Sequence, residues 1–536
     1  MGEMNGAALL VRALARAGTE RIFTLSGNQL LPIYDACLDA RIPLTDTRHE
    51  AAAAHMADAW ARLRGTPGVC LVSAGPGHTN AVTAVANALL AESPVIWISG
   101  GSALATRGRG GFQELDQVGI AAPVCKAAWQ ATSAEEIPAL VARAWRTALA
   151  GRPGPTHLTV PEDLLAAPVA SASPLPEAGD FVPAPRPADT TEIERALDLL
   201  AGAARPLILA SPSATRGPAR GALEVLTATT GIPWLVLESP RALNDPALLD
   251  TGRAAAQADA ILLVGPQDYA AAYGRPGGTV DRILIQVAPE SGELARNAPV
   301  EVGLVGDPAS VLRQLGEASA ERSWRAAAWR EQVDALRAAA RARFADAARS
   351  DDVPIHPLRV AAEVRRILAP GAVVAQDGGE FSQWARWGLA EAEVETLVSG
   401  KLAMIGPAIP FAIAGALARP DRPAVAFLGD GTFGFHGMEF DTAVRHGIPF
   451  VAVVGNDSAW AAERHRQAAR YGEDRVVASD LLPTRYDRVA EGLGAQGILV
   501  ERPDRLRPAL ERALASGRPT CVNVMIRSVP SPAAIP

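Results

Sequence analysis

The sequence is poor in cysteine, and its cysteines form no recognisable pairs. Among 536 residues the four cysteines are widely scattered, and no CxxC pair is present. A disulfide framework and a zinc site are therefore not expected. Apolar neighbours surround the cysteines, which favours buried thiols in a reducing cytoplasm. These residues are Cys37, Cys70, Cys125 and Cys521.

Long hydrophobic runs and an excess of basic residues are lacking as well. No stretch approaches the roughly 18 apolar residues of a membrane-spanning helix. The start, MGEMNGAALLVRALARAG, lacks the basic and apolar regions of a signal peptide and favours the first helix of a domain. The net charge of −7 argues against nucleic acid or an anionic membrane as a partner. These absences favour a cytoplasmic protein.

Strand-like and helix-like runs alternate along the chain, which is too long for one hydrophobic core. The alternation predicts an α/β fold with three doubly wound parallel-sheet domains. We place these domains at residues 1–165, 191–320 and 353–536. A linker rich in Pro, Ala and Ser at 166–190 and an arginine-rich helical connector at 321–352 separate them.

The stretch AFLGDGTFGF ends an apolar run with Asp430 between two glycines. The simplest interpretation is a tight turn, because Gly-Asp-Gly supplies positive φ angles. One crossover, residues 432–455, then leads to a second strand that ends at Asn456-Asp457. The carboxyl ends of parallel strands share one edge of the sheet, where ligands bind. Oxygen-bearing side chains at neighbouring strand ends suit a hard divalent cation.

An anion is expected beside this cation. The helix after the motif presents its N-terminus to the same edge. Gly429 and Gly431 let a ligand approach the backbone closely. A metal ion and a helix N-terminus together indicate a diphosphate.

Gly-Asp-Gly followed at this spacing by Asn-Asp resembles the metal and diphosphate motif of thiamine-diphosphate enzymes. The resemblance implies Mg²⁺ bound by the side chains of Asp430 and Asp457 and by the carbonyl of Ala459. Most relatives have Asn at the position of Asp457, and the extra carboxylate raises the negative charge at the metal. The cofactor-binding residues implied in this region are Gly429, Asp430, Gly431, Thr432, Asn456 and Trp460.

A second stretch, DTRHEAAAAHMADAWARLRGTPGVCLVSAGPGHTN, resembles the pyrimidine-binding region of acetolactate synthases, oxalyl-CoA decarboxylases and benzaldehyde lyases. Its glutamate is Glu50, and Gly77 and Asn80 are the other cofactor-binding residues implied here. Taken alone, Glu50 could simply be an acidic residue favoured at a helix N-terminus. The cofactor chemistry needs a carboxylate on the far pyrimidine nitrogen, which drives the imino tautomer that deprotonates the thiazolium carbon.

The resemblance also implies an assembly. In this family the cofactor lies between the first domain of one subunit and the third domain of another. Glu50 and Asp430 lie in those two domains, so a homodimer or homotetramer with active sites at the subunit interface is implied.

The stretch SGKLAMIGPAIPFAIAGA resembles the segment that shapes the bound cofactor. Met404 matches the apolar wedge that bends the cofactor into a V, and the carbonyl of Leu402 is implied to face the aminopyrimidine. For Met404, core packing is the alternative.

Substrate-pocket residues are implied by GGFQELDQVGIAAPVCKAAW. Phe112, Gln113 and Lys126 match acetolactate synthases, whereas oxalyl-CoA decarboxylases carry Tyr-Glu at the first two positions. The alternatives are core packing for Phe112 and a solvated loop for Gln113 and Lys126.

Other positions point toward lyases. Trp460 matches a tryptophan beside the active site of benzaldehyde lyase, and Gln29 aligns near its pocket histidine. Gln29 can hydrogen-bond a carbonyl or hydroxyl but cannot shuttle a proton. His78 could donate or accept a proton, although a buried structural histidine is the favoured interpretation.

The resemblance therefore implies a thiamine-diphosphate-dependent enzyme. The first hypothesis is acetolactate-synthase-like decarboxylation and carboligation of a 2-oxo acid, through ylide and enamine intermediates. The alternative is a C–C lyase or ligase acting on acyloins or 2-hydroxyacyl-CoA, of the benzaldehyde lyase, 2-hydroxyacyl-CoA lyase or oxalyl-CoA decarboxylase type. A third hypothesis is a homologue that binds cofactor without turnover, against which Glu50 argues. FAD stays possible but unsupported, because no GxGxxG follows a strand in the central domain.

Overall fold

A computed structural model describes residues 4–170, 173–267 and 282–532. It contains three sheets whose strands all pair in parallel, with helices on both faces. The predicted fold class is therefore confirmed. Among these residues no helix is long and apolar enough to cross a membrane.

The first sheet lies in the N-terminal domain. Its strands are β1 (Ile22–Thr24), β2 (Leu44–Asp46), β3 (Gly68–Val72), β4 (Val95–Gly101), β5 (Ala127–Gln130) and β6 (Thr156–Pro161). They are ordered β2-β1-β3-β4-β6-β5. The helices are α1 (Gly6–Arg16), α2 (Leu31–Ala40), α3 (Glu50–Arg64), α4 (Pro76–Leu90), α5 (Gln117–Ala121), α6 (Ile137–Leu149) and α7 (Glu162–Ala166).

The second sheet forms the central domain. Its strands are β7 (Pro206–Ala210), β8 (Trp234–Val236), β9 (Ala260–Val264), β10 (Ile283–Ala288) and β11 (Val302–Val305). They are ordered β11-β10-β9-β7-β8. Its helices are α8 (Thr190–Gly202), α9 (Gly217–Thr230) and α10 (Pro308–Ser319). The predicted connector contains α11 (Ala327–Arg343).

The third sheet lies in the C-terminal domain. Its strands are β12 (Ala372–Gln376), β13 (Val394–Val398), β14 (Ala424–Gly429), β15 (Val451–Asn456), β16 (Gln496–Val500) and β17 (Thr520–Met525). They are ordered β13-β12-β14-β15-β17-β16. The helices are α12 (Pro357–Ile367), α13 (Gly379–Leu389), α14 (Ala408–Ala418), α15 (Asp430–His436), α16 (Glu439–Arg445), α17 (Ala461–Tyr471), α18 (Tyr486–Gly492) and α19 (Pro503–Ala515).

Helix α3 is buried along nearly its whole length, and only Arg64 at its end is exposed. Its sequence, EAAAAHMADAWARLR, supplies small side chains that let neighbouring helices approach on several sides. It packs against α4 of its own domain and against α14 of the C-terminal domain. One hydrophobic cluster therefore runs continuously through both domains.

An ion pair is buried inside this packed layer. The Arg62 guanidinium donates to both carboxylate oxygens of Asp58, at 2.6 and 2.5 Å. It also donates to the carbonyl of Val398 in the C-terminal domain, at 2.6 Å, and Asn87 donates to the same carboxylate at 3.3 Å. Both charged side chains are almost fully buried. Each charge is thus paired and hydrogen-bonded, as burial requires.

Replacing Asp58 by Ala should leave the Arg62 charge buried without its partner, so we expect a loss of about 3–5 kcal/mol in the free energy of unfolding. The control is Arg488→Ala, which removes an exposed pair with Glu491 and should change that free energy by less than about 0.5 kcal/mol. Urea unfolding of both variants checks this. Equal destabilisation by the two changes would contradict the assignment.

Candidate active site

A cavity of about 520 Å³ lies at the carboxyl edge of the third sheet. Its floor consists of the turns that follow β12, β14 and β15, which are neighbours in that sheet. Part of its wall comes from residues 239–241 of the central domain. The described lining contains no residue of the N-terminal domain. Parallel strands thus bring three sequence-distant turns together at the position where such sheets bind ligands.

Asp430 is the first residue of α15, directly after β14. Its carboxylate accepts hydrogen bonds from the backbone of Gly431, at 2.9 Å, and of Ala459, at 3.2 Å. Burial, together with the nearby charge of Asp457, raises its pKa to about 7. The two carboxylates that the sequence placed at neighbouring strand ends therefore do lie close enough to interact.

Asn456 is the last residue of β15, and Asp457 follows it. Burial raises the pKa of Asp457, and Ser528 donates to its carboxylate at 2.7 Å. The Asn456 amide donates to the carbonyl of Thr484 at 2.9 Å and accepts from the backbone of Ser458 at 3.2 Å. Asn456 thus fixes the turn that carries Asp457 and Ala459.

The tight-turn interpretation of Gly-Asp-Gly was wrong in one respect. Neither Gly429 nor Gly431 has a positive φ, and the helix begins at Asp430 itself. Position 431 instead requires glycine because there is no room for a side chain: an added Cβ would lie 2.6 Å from the Trp460 ring. Thr432 caps the turn by donating to the carbonyl of Gly429 at 2.9 Å.

The sequence reasoning missed Asp377, which follows β12 on the same edge. One carboxylate oxygen, Oδ1, accepts from the backbone of Gly378 at 2.7 Å and of Gly406 at 2.8 Å. The other, Oδ2, is buried and has no partner among the described residues. Burial raises its pKa to about 7. The available signal was the segment AVVAQDGG, an apolar strand ending in an acid and glycines, as at Asp430.

Glu380, near the start of α13, also lines the cavity. Its carboxylate lies 2.6 Å from Nδ1 of His465 on α17. Burial raises the pKa of Glu380, and His465 opposes that rise. This acidic side chain is therefore paired within the protein.

A second group of predicted residues gathers in the N-terminal domain around Glu50. Glu50 is the first residue of α3 and is 8% exposed. Asn80 donates to its carboxylate at 2.9 Å. A Cβ added at Gly77 would lie 2.4 Å from the Ser73 hydroxyl and 3.4 Å from the Glu50 carboxylate. Gly77 is thus the residue that lets the turn after β3 pack against Glu50.

Gln29 and Gln113 meet beside this turn. The Gln29 amide donates to the Gln113 amide oxygen at 2.8 Å. Gln113 has a φ of 58°, and its Cβ would lie 3.0 Å from a Cβ added at Gly75. Phe112 is 71% exposed, so the core-packing alternative for it was wrong.

The side chains of His78 and Lys126 make other contacts. His78 is fully buried and stacks on Trp97 with ring centroids 4.1 Å apart, and burial lowers its pKa to about 4. The Lys126 ammonium donates to the carbonyls of Thr147 and Ala150, at 2.6 and 2.5 Å. Neither contact joins these residues to Glu50 or Gln113.

Leu402 and Met404 lie in the segment between β13 and α14. Leu402 ends a 3₁₀ turn, Gly400–Leu402, and Ala403 follows with a φ of 60°. Both Leu402 and Met404 are half-buried. The cavity lining includes their neighbours Ala403 and Ile405.

The residues around this cavity fit a bound diphosphate. Gly379 and Gly429 line it, and a Cβ added at either would meet no atom within 4 Å, so a side chain there would fill the cavity. The partnerless buried oxygen of Asp377 could donate to a phosphate oxygen when that carboxyl is protonated, since its pKa is raised to about 7. For a metal, the described part of the chain holds no cluster of three or more His, Cys, Asp or Glu side chains. Asp430 and Asp457 could supply two ligands, and a backbone carbonyl a third.

The central domain does not fit a dinucleotide at its first βα turn. In doubly wound domains that turn holds phosphate at the helix N-terminus. Here the Glu92 carboxylate from the N-terminal domain accepts from the Ser211 hydroxyl, at 2.8 Å, and from the Ser213 backbone, at 3.0 Å. Arg216 is engaged by Glu238 and by the carbonyl of Ala91. The groups that phosphate would use are therefore occupied by the chain itself.

Comparison with known proteins agrees with this geometry. The N-terminal TPP binding domain of thiamine pyrophosphate enzymes matches residues 4–120, and the C-terminal TPP binding domain matches residues 377–524. The chain belongs to the family of thiamine-diphosphate-dependent enzymes, as its sequence motifs predicted.

Two groups of relatives resemble the chain over almost its whole length. The acetolactate synthase large subunit IlvG of Mycobacterium tuberculosis is 38% identical over 97% of this chain and 96% of its own length. The 2-hydroxyacyl-CoA lyase 2 of Homo sapiens is 32% identical over 96% of this chain and 89% of its own length. A 2-hydroxyacyl-CoA lyase of Oryza sativa is 31% identical over 98% of this chain and 96% of its own length.

Replacing Gly431 by Ala should push the Trp460 ring out of its position and cost about 1–3 kcal/mol of stability, as overpacking does. Gly434→Ala is the matched control in the same helix, because its added Cβ meets nothing within 4 Å. The control should stabilise the protein by about 0.5–1 kcal/mol through helix propensity. Thermal unfolding and tryptophan fluorescence of both variants test this. Stabilisation by both changes would contradict the role of space at Gly431.

Proposed function

We propose that this enzyme decarboxylates a 2-oxo acid such as pyruvate and joins the remaining fragment to a second carbonyl compound, as an acetolactate synthase does. The observation that carries the thiamine chemistry is Glu50, held at the start of a buried helix by Asn80. The 38% identity to the Mycobacterium tuberculosis acetolactate synthase subunit, against 31–32% to the 2-hydroxyacyl-CoA lyases, supports this choice of reaction. A second acetolactate synthase large subunit, at 30%, is no more similar than the lyases.

Bound thiamine diphosphate would supply a nucleophilic carbon that attacks a carbonyl and stores the electron pair released with carbon dioxide. We assign to Glu50 the role of binding the far pyrimidine nitrogen and moving its proton. Gly77 and Asn80 position Glu50. Gln29 and Gln113 present their joined amides beside the turn after β3, where they can hydrogen-bond a substrate oxygen.

The cofactor's other end is assigned to the C-terminal domain. Asp430, Asp457 and the Ala459 carbonyl would bind Mg²⁺, and Asn456 holds their turn in place. Leu402 and Met404 would support the middle of the cofactor. The remaining diphosphate-binding residues in this proposal are Gly429, Gly431, Thr432 and Trp460.

The residues around Glu50 and those around Asp430 belong to different domains. The described cavity lining includes no residue of the N-terminal domain. This supports a homodimer or homotetramer in which Glu50 of one subunit completes the cavity of another. The assignment of Phe112 to the substrate pocket fits such an assembly, because its ring is exposed in the single chain. Lys126 and His78 have no contact that supports a pocket role, and their assignments stay predictions. A cytoplasmic location also stays a prediction.

The second candidate function is cleavage or formation of a C–C bond in acyloins or 2-hydroxyacyl-CoA esters. It is favoured by the lyase relatives, which also match nearly the whole chain. The occupied first turn of the central domain argues against a nucleotide bound there.

The deciding experiment incubates the enzyme, with Mg²⁺ and thiamine diphosphate, with pyruvate and measures carbon dioxide and acetolactate. We expect two pyruvate molecules to yield one molecule of carbon dioxide and one molecule of acetolactate. The control is Glu50→Gln, which should lower turnover by at least about 100-fold, the lower range for general acid–base groups, while cofactor binding persists. No pyruvate consumption, with turnover of acyloins or 2-hydroxyacyl-CoA esters, would instead support the lyase.

Magnesium binding should weaken as the pH falls below 7. Burial and Asp457 raise the pKa of Asp430 to about 7, so a proton competes with the cation below that pH. In the cofactor- and metal-free protein the same raised pKa of Asp430 affects the stability of the fold. The folded state binds more protons than the unfolded state between about pH 4 and 7, so the free energy of unfolding falls as pH rises through that range.

Calorimetric titration of Mg²⁺ at pH 6 and pH 8, with thiamine diphosphate present, tests this expectation. We expect affinity about 10-fold weaker at pH 6, one unit below the pKa of a single competing group. Asp430→Asn should abolish this pH dependence and weaken binding at both values. Equal affinity at both pH values in the unmodified enzyme would contradict the assignment of Asp430 as a metal ligand.

A further inference from the structure

One loop of the central domain, residues 237–246, reaches the cavity of the C-terminal domain. Both of its ends are fixed by ion pairs, one partly buried and the other buried. At one end Glu238 pairs with Arg216. At the other, the Arg386 guanidinium on α13 donates to both carboxylate oxygens of Asp245, one of them at 2.8 Å. Arg386 and Asp245 are both buried, so the loop is held rigidly against the cavity wall.

Between these anchors Ser239, Pro240 and Arg241 line the cavity. The Arg241 backbone donates to the Ser239 hydroxyl at 3.1 Å, and Ala242 follows with a φ of 45°. A non-glycine residue in that left-handed region is kept there by its surroundings. The loop therefore presents the Arg241 side chain to the cavity in a defined position.

Arg241 is one of three arginines in the cavity lining, and the other two are already paired. Arg386 is bound by Asp245, and Arg466 pairs with Glu463 at 3.1 Å. Within residues 4–170, 173–267 and 282–532, the Arg241 guanidinium has no hydrogen bond or ion pair. Burial lowers its pKa, which shows that this charge is partly removed from water. A partly buried cation without a partner is costly unless an anion completes it.

The neighbouring carboxylates do not serve as that anion. Asp245 is held by Arg386, and Glu380 is held by His465. Asp430 and Asp457 need a cation themselves, because their two negative charges repel each other. The cavity thus contains a cationic and an anionic pole, which suits a ligand that carries an anion together with a divalent metal.

We propose that Arg241 binds an anionic oxygen of the molecule held in this cavity, so that the central domain contributes directly to binding. A guanidinium matches the geometry of a phosphate or a carboxylate. Two sources supply that chemistry, the diphosphate of the cofactor and the carboxylate of a 2-oxo acid. The inference rests on the proposed function, which requires both of these anions near the cavity.

The test compares Arg241→Met, which keeps the length of the side chain and removes its charge, with Arg241→Lys, which keeps the charge. The matched control is Arg220→Met, in the same domain, where the arginine is exposed and pairs with Glu224. Calorimetric titration of thiamine diphosphate with Mg²⁺ gives the Kd without turnover. Steady-state kinetics with pyruvate give KM and kcat separately.

If the anion is the cofactor's diphosphate, Arg241→Met should raise the Kd of thiamine diphosphate by about 10-fold to 100-fold, the value of a charged hydrogen bond. If it is the substrate's carboxylate, that Kd should stay constant and the KM for pyruvate should rise by a similar factor. In either case Arg241→Lys should recover part of the loss, and Arg220→Met should change neither constant.

An unchanged Kd and an unchanged KM in a folded Arg241→Met variant would overturn the proposal. So would equal losses in Arg241→Met and Arg220→Met. Failure of the proposed function has a different outcome, in which the unmodified enzyme itself binds no thiamine diphosphate. Should the unmodified enzyme bind thiamine diphosphate but not consume pyruvate, the Kd comparison still tests Arg241 at the cofactor.

Discussion

The burial of helix α3 is the constraint on which the two cofactor-binding domains depend. Its alanines allow α4 and α14 to approach closely, and its Asp58–Arg62 pair reaches the carbonyl of Val398 in the other domain. The charges are tolerable in this apolar layer because each is paired and hydrogen-bonded. The same helix begins with Glu50, so the packing that joins the domains also fixes the position of the proposed catalytic carboxylate.

Charged side chains attach the central domain to each of the other two domains. Glu92 of the N-terminal domain occupies the turn after β7, and Asp245 binds Arg386 of the C-terminal domain. A carboxylate at that turn takes the place that phosphate has in dinucleotide-binding domains. The structure therefore gives this domain a connecting role, with Arg241 held at the edge of the cavity.

The cavity floor holds two buried carboxyl groups at neighbouring strand ends. The carboxyl groups of Asp377 and Asp430 are buried and have raised pKa values. Removal from water disfavours the ionised form of both groups, and at Asp430 the charge of Asp457 adds to this effect. Such an arrangement is unfavourable in isolation and becomes favourable when a cation is bound. This is the physical reason to regard these strand ends as a binding site and not as structural turns.

The sequence by itself determined the α/β class, most of the strands and the two motifs around Glu50 and Asp430. An apolar run that ends in glycine and an acidic residue predicts the end of a strand. The run and its ending are both visible in a few consecutive residues. Four strands have a weaker local pattern, because each lies at the edge of its sheet and none is buried along its whole length: β5, β11, β13 and β16.

Only the tertiary structure decided which distant side chains meet. It showed that Glu92 fills the turn after β7, that Asp377 has a buried oxygen without a partner among the described residues, and that Gly431 is needed for space beside Trp460. It also placed His78 in an aromatic stack. These outcomes depend on burial and on contacts between residues far apart in the chain, which a local pattern of residue types does not contain.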